Sequence, residues 1–155
     1  MNVDEDPKYK YSADEVNIEN GINITGLNLK YSNLHNVSYE YNEVDKVFYR
    51  SMRSIKDVDK ITKKQYFAKN IVIMYMKNYT LDDDSGKDRQ ELDNIGVGTG
   101  YYLTNGKYEK ITWKKDFLKS KTLWLDENNN EIVLNDGLTY VQIVPINNLV
   151  EFIKT

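Results

Sequence analysis

The stretch that most constrains the fold is residues 94–115, which have the pattern of a β-hairpin, NIGVGTGYYLTNGKYEKITWKK. Two arms rich in Tyr, Ile, Thr and Trp flank the pair Asn105-Gly106. Asn-Gly is the preferred pair of a two-residue type I′ turn, because both central residues of that turn take a positive φ. We therefore predict a hairpin in which the chain reverses at Asn105 and Gly106.

The first arm of this hairpin carries three glycines at alternate positions, Gly96, Gly98 and Gly100. Alternate residues of a strand point to the same face of the sheet. Glycine weakens a strand, so its repeated use on one face predicts a bulge or the close approach of another backbone.

Further strands are indicated by alternating or continuous apolar runs that turn residues separate. They are predicted at residues 24–32, 36–42, 47–52, 70–77, 122–125, 131–134, 139–144 and 149–153. The run at 70–77 is apolar on both faces and predicts a central strand that is covered on both sides. The run at 149–153 is compatible with an edge strand or a tail, and residues 54–69 predict a long loop or one helical turn.

The N-terminal region is expected to differ from the rest of the chain. Residues 1–11 are polar, include Pro7 and are predicted to be disordered. Ser12 and Glu15 match a capping box, which predicts a short helix that ends at Asn20-Gly21. Residues 12–155 then form one β-rich domain, because no linker or internal repeat divides them.

Short strands at this spacing are typical of antiparallel sheets. The 13 Tyr against 4 Phe favour a sheet with one solvated face, since Tyr suits strands and half-wet surfaces. We predict a mainly β fold, an antiparallel sandwich or small barrel built from hairpins, with a short N-terminal helix.

Composition excludes several classes of function. The net charge is −3 with no long basic tract, and only three of the 21 basic residues are Arg, which argues against nucleic-acid binding. The absence of Cys excludes disulfides, thiolate metal sites and a Cys nucleophile. No apolar run is long enough for a membrane span, and no signal peptide is visible.

The single histidine, His35, would have to be the base of a Ser-His-Asp site. It lies in a polar turn pattern between two predicted strands, which is typical of a surface turn residue. We therefore predict no catalytic residue of this kind.

Two acidic loops have the residue types of a Ca²⁺ site. In the first, residues 82–88, counting from Asp82 puts Gly86 at position five and Asp93 at position twelve, which misses the EF-hand register. The second, residues 126–130, lacks glycine, and its Asn residues are explained by the left-handed conformation that Asn adopts in turns. We expect solvated loops, with no metal site and no cofactor.

Aromatic residues on the predicted strands offer two interpretations. As an exposed platform they would bind sugar rings or peptides, and as cross-strand pairs they would only pack the sheet. The candidate binding residues are Tyr39, Tyr41, Tyr102, Tyr108, Trp113 and Trp124.

The order of the sequence motifs along the chain also resembles that of a known family. The motifs are AKNIVIMYM, an acidic loop, GVGTGY, NGK, TWKK, WLD, LNDG and TYVQIVP, preceded by YEY and YRSM. Over residues 27–145 this set resembles the C-terminal domain of YerB-type lipoproteins of Gram-positive bacteria, a domain of unknown function. The resemblance implies an exported protein, held on the outer face of the cytoplasmic membrane by a lipid anchor, with an N-terminal domain. This sequence contains neither the anchor nor that domain.

The function we predict is a non-catalytic binding or interaction module of a cell-envelope lipoprotein. Its expected partners are its own N-terminal domain, an envelope protein or a cell-wall glycan, and it would meet the membrane only through the lipid anchor. The alternative is a carboxylate-based hydrolase of cell-wall glycan or peptide. An enzyme predicts a concave pocket with two acids and at least one raised pKa, whereas a binding module predicts scattered, exposed acids.

Overall fold

The computed structural model describes residues 11–12, 15–30, 36–53, 55–76, 96–116, 121–146 and 149–154. These residues form thirteen β-strands and no helix. The strands are β1 Tyr11–Ser12, β2 Ile22–Lys30, β3 Asn36–Asn42, β4 Val47–Met52, β5 Ile55–Lys56, β6 Phe67–Ala68, β7 Asn70–Met76, β8 Gly96–Thr104, β9 Lys107–Lys115, β10 Leu123–Leu125, β11 Leu134–Asn135, β12 Thr139–Pro145 and β13 Leu149–Lys154.

The mainly β prediction is confirmed, and the sheet curls into a half-barrel. One half of the sheet has the order β12-β7-β8-β9-β10, and the other contains β13-β2-β3-β4 with the short strands β5 and β6. The halves join where Ile22 and Asn23 of β2 pair with Tyr108 and Lys107 of β9. Seven of the eight predicted strands occur, with β3 and β4 at their predicted bounds. The strand predicted at 131–134 does not form, since these residues contribute only a bridge at Glu131 and the start of β11.

The sheet is not antiparallel throughout. β12 runs parallel to β7 over their full length, and β1 runs parallel to β11. A parallel partner needs a long crossover connection. The chain between β7 and β12 provides one, because it forms β8, β9, β10 and β11 before it returns to the edge of β7.

The short helix predicted at the N-terminus is not found in the described part of the chain. Ser12 lies in β1, and residues 15–18 are not helical. The backbone of Val16 is instead held by the side chain of Asn135, which accepts the Val16 N–H at 2.6 Å and donates to the Val16 carbonyl at 2.9 Å. Tyr11 belongs to β1, while residues 1–10 lie outside the described residues, so their disorder stays a prediction.

β7 is buried on both faces, as predicted. Ile71 and Ile73 belong to a first core that lies between the two halves of the sheet, and Tyr75 packs against it. Val72 and Met74 belong to a second core on the opposite face. A strand covered on both sides must be apolar at consecutive positions, which explains the unbroken run in the sequence.

The predicted hairpin is confirmed. β8 and β9 pair continuously from Gly96 opposite Lys115 to Thr104 opposite Lys107. Asn105 and Gly106 between them have φ values of 51° and 75°. Both values are positive, as a type I′ turn requires.

Two of the three glycines, Gly98 and Gly100, are explained by close approach rather than by a bulge, because the pairing of β8 with β9 is regular. Gly96 has a φ of 137°, and a Cβ there would meet no other atom. A Cβ on Gly100 would lie 1.8 Å from the carbonyl oxygen of Ile73. A Cβ on Gly98 would lie 2.3 Å from the indole nitrogen of Trp113, which covers it. Glycine therefore allows β7 and an indole ring to pack directly on the β8 backbone.

The interpretation of residues 54–69 as a loop or a helical turn is wrong. β5 pairs with the end of β4, and residues 57–66 form a second hairpin in which Val58 bridges Gln65. The Asp59 carboxylate closes its turn, since it accepts the N–H groups of Ile61 at 3.0 Å and Thr62 at 2.6 Å. Asp and Thr close turns through their own side chains, and the apolar pattern does not reveal this local chemistry. We call this segment the 57–66 hairpin.

Candidate functional site

The expected exposed platform of aromatic residues is not present. Five of the six candidates are buried, and Tyr41 is half-buried. The buried five are Tyr39 and Tyr108 in the first core, and Tyr102, Trp113 and Trp124 in the second core. Exposure was therefore the wrong expectation, and packing across strands, the other interpretation of these residues, accounts for their positions.

The contacts of these side chains show why they are buried. The Trp113 indole N–H donates to the Tyr75 carbonyl at 3.0 Å, which satisfies its polar atom inside the core. The Tyr102 hydroxyl lies 3.2 Å from the Asn70 amide oxygen, and burial raises the pKa of Tyr102 strongly. A role of these residues in ligand binding stays a prediction.

Two other predicted features lie outside the described residues, namely His35 and the acidic loop 82–88. The second acidic loop is described and is a self-contained turn. One oxygen of Asp126 accepts the N–H groups of Asn128 at 2.8 Å and Asn130 at 3.0 Å, and Asn129 has the positive φ expected of Asn in a turn. Within the described ranges, no group of three or more acidic or histidine side chains could hold a metal ion.

The structure forms a cleft that the sequence did not reveal. It lies beside the C-terminal end of β7 and the middle of β8 and β9, where the loop after β10 meets the edge of β9, and its volume is about 320 Å³. Its walls are formed by Tyr75, Thr99, Gly100, Tyr101, Lys110, Ile111, Thr112, Asp126 and Glu127.

The cleft brings opposite charges and hydroxyl groups together. Thr99 lies opposite Thr112, and Tyr101 lies opposite Lys110, so these side chains share one face of the hairpin. The loop after β10 adds two carboxylates, from Asp126 and Glu127. The site can therefore offer a cation, two anions, neutral hydrogen-bonding groups and aromatic rings to one small ligand.

A chain of ring contacts fixes the aromatic wall of the cleft. The rings of Tyr75 and Tyr101 meet edge to face at 6.1 Å, and Tyr101 meets Phe152 of β13 at 4.9 Å. Phe152 in turn stacks on Tyr108 at 3.8 Å. Tyr75 and Tyr101, the two rings that line the cleft, are thus supported by ring contacts that extend to the other half of the sheet.

One acid near the cleft has a perturbed pKa. The pKa of Glu109 is raised, first by burial and then by the negative charges of Asp126 and Glu127. Glu109 is paired with Tyr102, on the opposite face of β9 from Lys110, and does not line the cleft. The residue with the raised pKa therefore lies beside the cleft and is not one of the residues that form it.

Part of this site could have been found from the sequence. Once the turn is placed at Asn105 and Gly106, the register puts Tyr101 opposite Lys110 without further information. The position of Asp126 and Glu127 depends on the pairing of β10 with the free edge of β9, and nothing in the sequence pattern indicates that pairing.

Comparisons with known proteins give one family and one solved structure. A family model described as "Protein of unknown function (DUF3048) C-terminal domain" matches residues 27–141. The crystal structure of the YerB protein from Bacillus subtilis is similar to 86% of this chain, with a TM-score of 0.66 and 18% sequence identity. The match covers 45% of the YerB chain, so the present chain spans less than half of that protein. No curated protein matches.

Proposed function

Because the chain belongs to the DUF3048 family, as its C-terminal domain, we propose that it is a non-catalytic binding module of a cell-envelope lipoprotein. The observation that carries this proposal is the cleft, where Lys110, Asp126 and Glu127 meet two threonines and two tyrosines. A volume of about 320 Å³ is near the lower end for ligand pockets. It suits a small polar ligand or one unit of a polymer.

The chemistry of the cleft fits a cell-wall glycan or its peptide. The Lys110 ammonium suits a carboxylate, and the carboxylates of Asp126 and Glu127 suit an amine. The hydroxyls of Thr99 and Thr112 suit sugar hydroxyls, and aromatic rings commonly form the apolar wall of such sites. A muropeptide contains all of these groups.

We also propose protein partners for this module. The match covers under half of YerB, which supports a further, N-terminal domain in the longer protein as a binding partner. An envelope protein is the other protein partner that we propose. The location we propose is extracytoplasmic, on the outer face of the cytoplasmic membrane, with a lipid anchor outside this chain. Within the described ranges no helix is long and apolar enough to cross a membrane.

A carboxylate-based hydrolase is the alternative function, and the raised pKa of Glu109 beside two acids is the observation that favours it. Two features support binding instead. Glu109 lies outside the cleft, and one Asp126 oxygen already accepts two backbone N–H groups of its own turn. In this proposal the acids of the cleft therefore bind the ligand and do not act as a catalytic pair on one bond.

Titration of the domain with soluble muropeptides, followed by NMR shifts of the β8 and β9 amides, tests the proposal. Lys110→Gln should weaken binding about 10- to 150-fold, because a hydrogen bond to a charged group contributes roughly 1.5–3 kcal/mol. Lys114→Gln is the matched control, since Lys114 is an exposed lysine of the same strand that does not line the cleft. Equal affinity of all three proteins would contradict the assigned site.

Mass spectrometry of the same muropeptides after long incubation separates binding from hydrolysis. We expect no cleavage by the unsubstituted domain. Cleavage that is lost in Glu109→Gln or Glu127→Gln, with the fold intact, would instead establish the hydrolase.

A further inference from the structure

The 57–66 hairpin projects an apolar residue from a basic tip. Residues 60–64, KITKK, are all exposed, and Ile61 is 89% exposed. The hairpin is nevertheless ordered by backbone hydrogen bonds, from Tyr66 N–H to the Asp57 carbonyl at 2.7 Å and from Asp59 N–H to the Lys64 carbonyl at 2.9 Å. A single exposed isoleucine needs no explanation, but a group of exposed apolar residues in one place marks a surface for contact.

Charge is concentrated in the same place. Residues 52–67 contain five basic and two acidic side chains, a net charge of +3 in a chain whose total is −3. Both acids are used within the protein, since Asp57 pairs with Arg50 at 3.3 Å and Asp59 closes the turn. The four lysines, together with the exposed Arg53, are therefore the charges that this segment presents to the surroundings.

Further exposed apolar residues border the tip. They are Met52, Ile55, Val58, Tyr66 and Phe67, which lie on β4, β5, β6 and the arms of the hairpin. The exposed large apolar residues of the described chain are more numerous in this segment than in any other of similar length. Aromatic and aliphatic side chains beside lysines are characteristic of surfaces that enter the interfacial zone of a bilayer.

We propose that the 57–66 hairpin contacts the surface of an anionic lipid bilayer, which adds a second membrane contact to the lipid anchor expected from the sequence. Ile61 enters the headgroup region, while Lys60, Lys63 and Lys64 lie over the lipid phosphates. A lipid surface fits better than an acidic protein, because the tip is a convex projection with flexible point charges. Lysine needs no fixed geometry to attract phosphates, whereas Arg forks are typical of specific protein recognition. The proposal does not depend on the ligand of the cleft.

A second hairpin tip provides an internal control. Val44, in the turn between β3 and β4, is 90% exposed, but its neighbours are Glu43 and Asp45. An anionic surface repels this tip and attracts the other. Comparison of the two tips therefore shows whether an exposed apolar residue is enough for membrane binding or whether positive charge beside it is also needed.

Co-sedimentation of the chain with sucrose-loaded vesicles tests the proposal. One set contains equal parts of phosphatidylglycerol and phosphatidylcholine, and the other contains phosphatidylcholine alone. We expect binding to the anionic vesicles that falls as salt is added. The triple variant Lys60→Gln, Lys63→Gln, Lys64→Gln should weaken it about a hundredfold, since each surface lysine contributes about 1 kcal/mol. Ile61→Ala should weaken it about tenfold.

Val44→Ala should bind as the unsubstituted chain does. All of these positions are exposed, so circular dichroism should show the same fold for every variant. Equal binding to both vesicle types, or full binding by the tip variants, would overturn the proposal. No binding by the unsubstituted chain would also overturn it and would favour a protein as the partner of this hairpin.

Discussion

Two hairpins of this domain are closed by different turn chemistry and have opposite environments. The turn at Asn105 and Gly106 is built into the protein, because the Asn105 side chain accepts from Lys69 at 2.9 Å and donates to the Val16 carbonyl at 3.3 Å. The turn of the 57–66 hairpin is held by its own Asp59 and is exposed on all sides. The first turn organises the fold, and the second is available for a partner.

The segments beside the two turns also differ in how far they are buried in the domain. β7, next to the first hairpin, is covered by both cores, and so is the end of β8 that leads into the turn, through Leu103 in the first core and Tyr102 in the second. The 57–66 hairpin joins the domain at Arg50 of β4, whose backbone N–H donates to the Tyr66 carbonyl at 2.9 Å and whose carbonyl accepts the Asp57 N–H at 3.1 Å. The half-buried Arg50 guanidinium also pairs with Asp57 and lies 5.9 Å from the Tyr39 ring and 5.5 Å from the Tyr140 ring. Mutations should therefore change stability in the β7–β8–β9 sheet and binding in the 57–66 hairpin.

The largest effect is expected in β7. Ile73 is fully buried in the first core, so Ile73→Ala should lower the free energy of unfolding by about 2–5 kcal/mol, the range for a cavity in a packed core. Chemical denaturation measures this change. A loss below about 1 kcal/mol would show that the core relaxes around the cavity and that β7 is not the centre of the fold.

A smaller loss is expected at the buried turn. Gly106 has a φ of 75°, and a Cβ there would lie 2.7 Å from the Tyr41 ring. Gly106→Val should cost about 1–3 kcal/mol for the strained backbone alone, because a β-branched residue resists a positive φ. Gly106→Asn is the matched control, since Asn tolerates this conformation and should cost less. If both variants lost the same free energy of unfolding, the cause would be the contact of the new side chain with Tyr41 and not the strain of a positive φ.

The β7–β8–β9 sheet and the 57–66 hairpin also differ in how well the sequence predicts them. The β8–β9 turn and both faces of β7 are predictable, because turn conformation and the burial of a continuous apolar run are local properties. The 57–66 hairpin escaped prediction, since its arms are charged and its order comes from Asp59 and Arg50. Tyr39 and Trp113 were misplaced on the surface, because β-sheet aromatics look alike in sequence whether they face solvent or a second layer.

The exposed turn should respond to pH in a defined direction. Hydrogen bonds from Thr62 and Ile61 lower the pKa of Asp59 below that of a free aspartate. Their stabilisation is complete above the pKa of the unfolded chain and is lost as the pH falls through the lowered, folded value. NMR should show the Ile61 and Thr62 amides shifting together at that lower pH, with no such step in Asp59→Asn. A step at or above the usual aspartate pKa would contradict the capped turn.

The smallest effect on stability is expected from Ile61→Ala at the exposed tip. The same exchange of isoleucine for alanine has the largest expected effect in β7. Ile61 is 89% exposed, so Ile61→Ala removes almost no buried surface and should change the free energy of unfolding by less than about 0.5 kcal/mol. Ile73→Ala deletes the same atoms from the first core, so chemical denaturation of the two variants compares their environments directly. A loss of 1 kcal/mol or more in Ile61→Ala would mean that the tip packs on the domain, which would contradict its role as a free surface. Unchanged stability together with weaker binding to anionic vesicles would show that this isoleucine is retained for a partner and not for the fold.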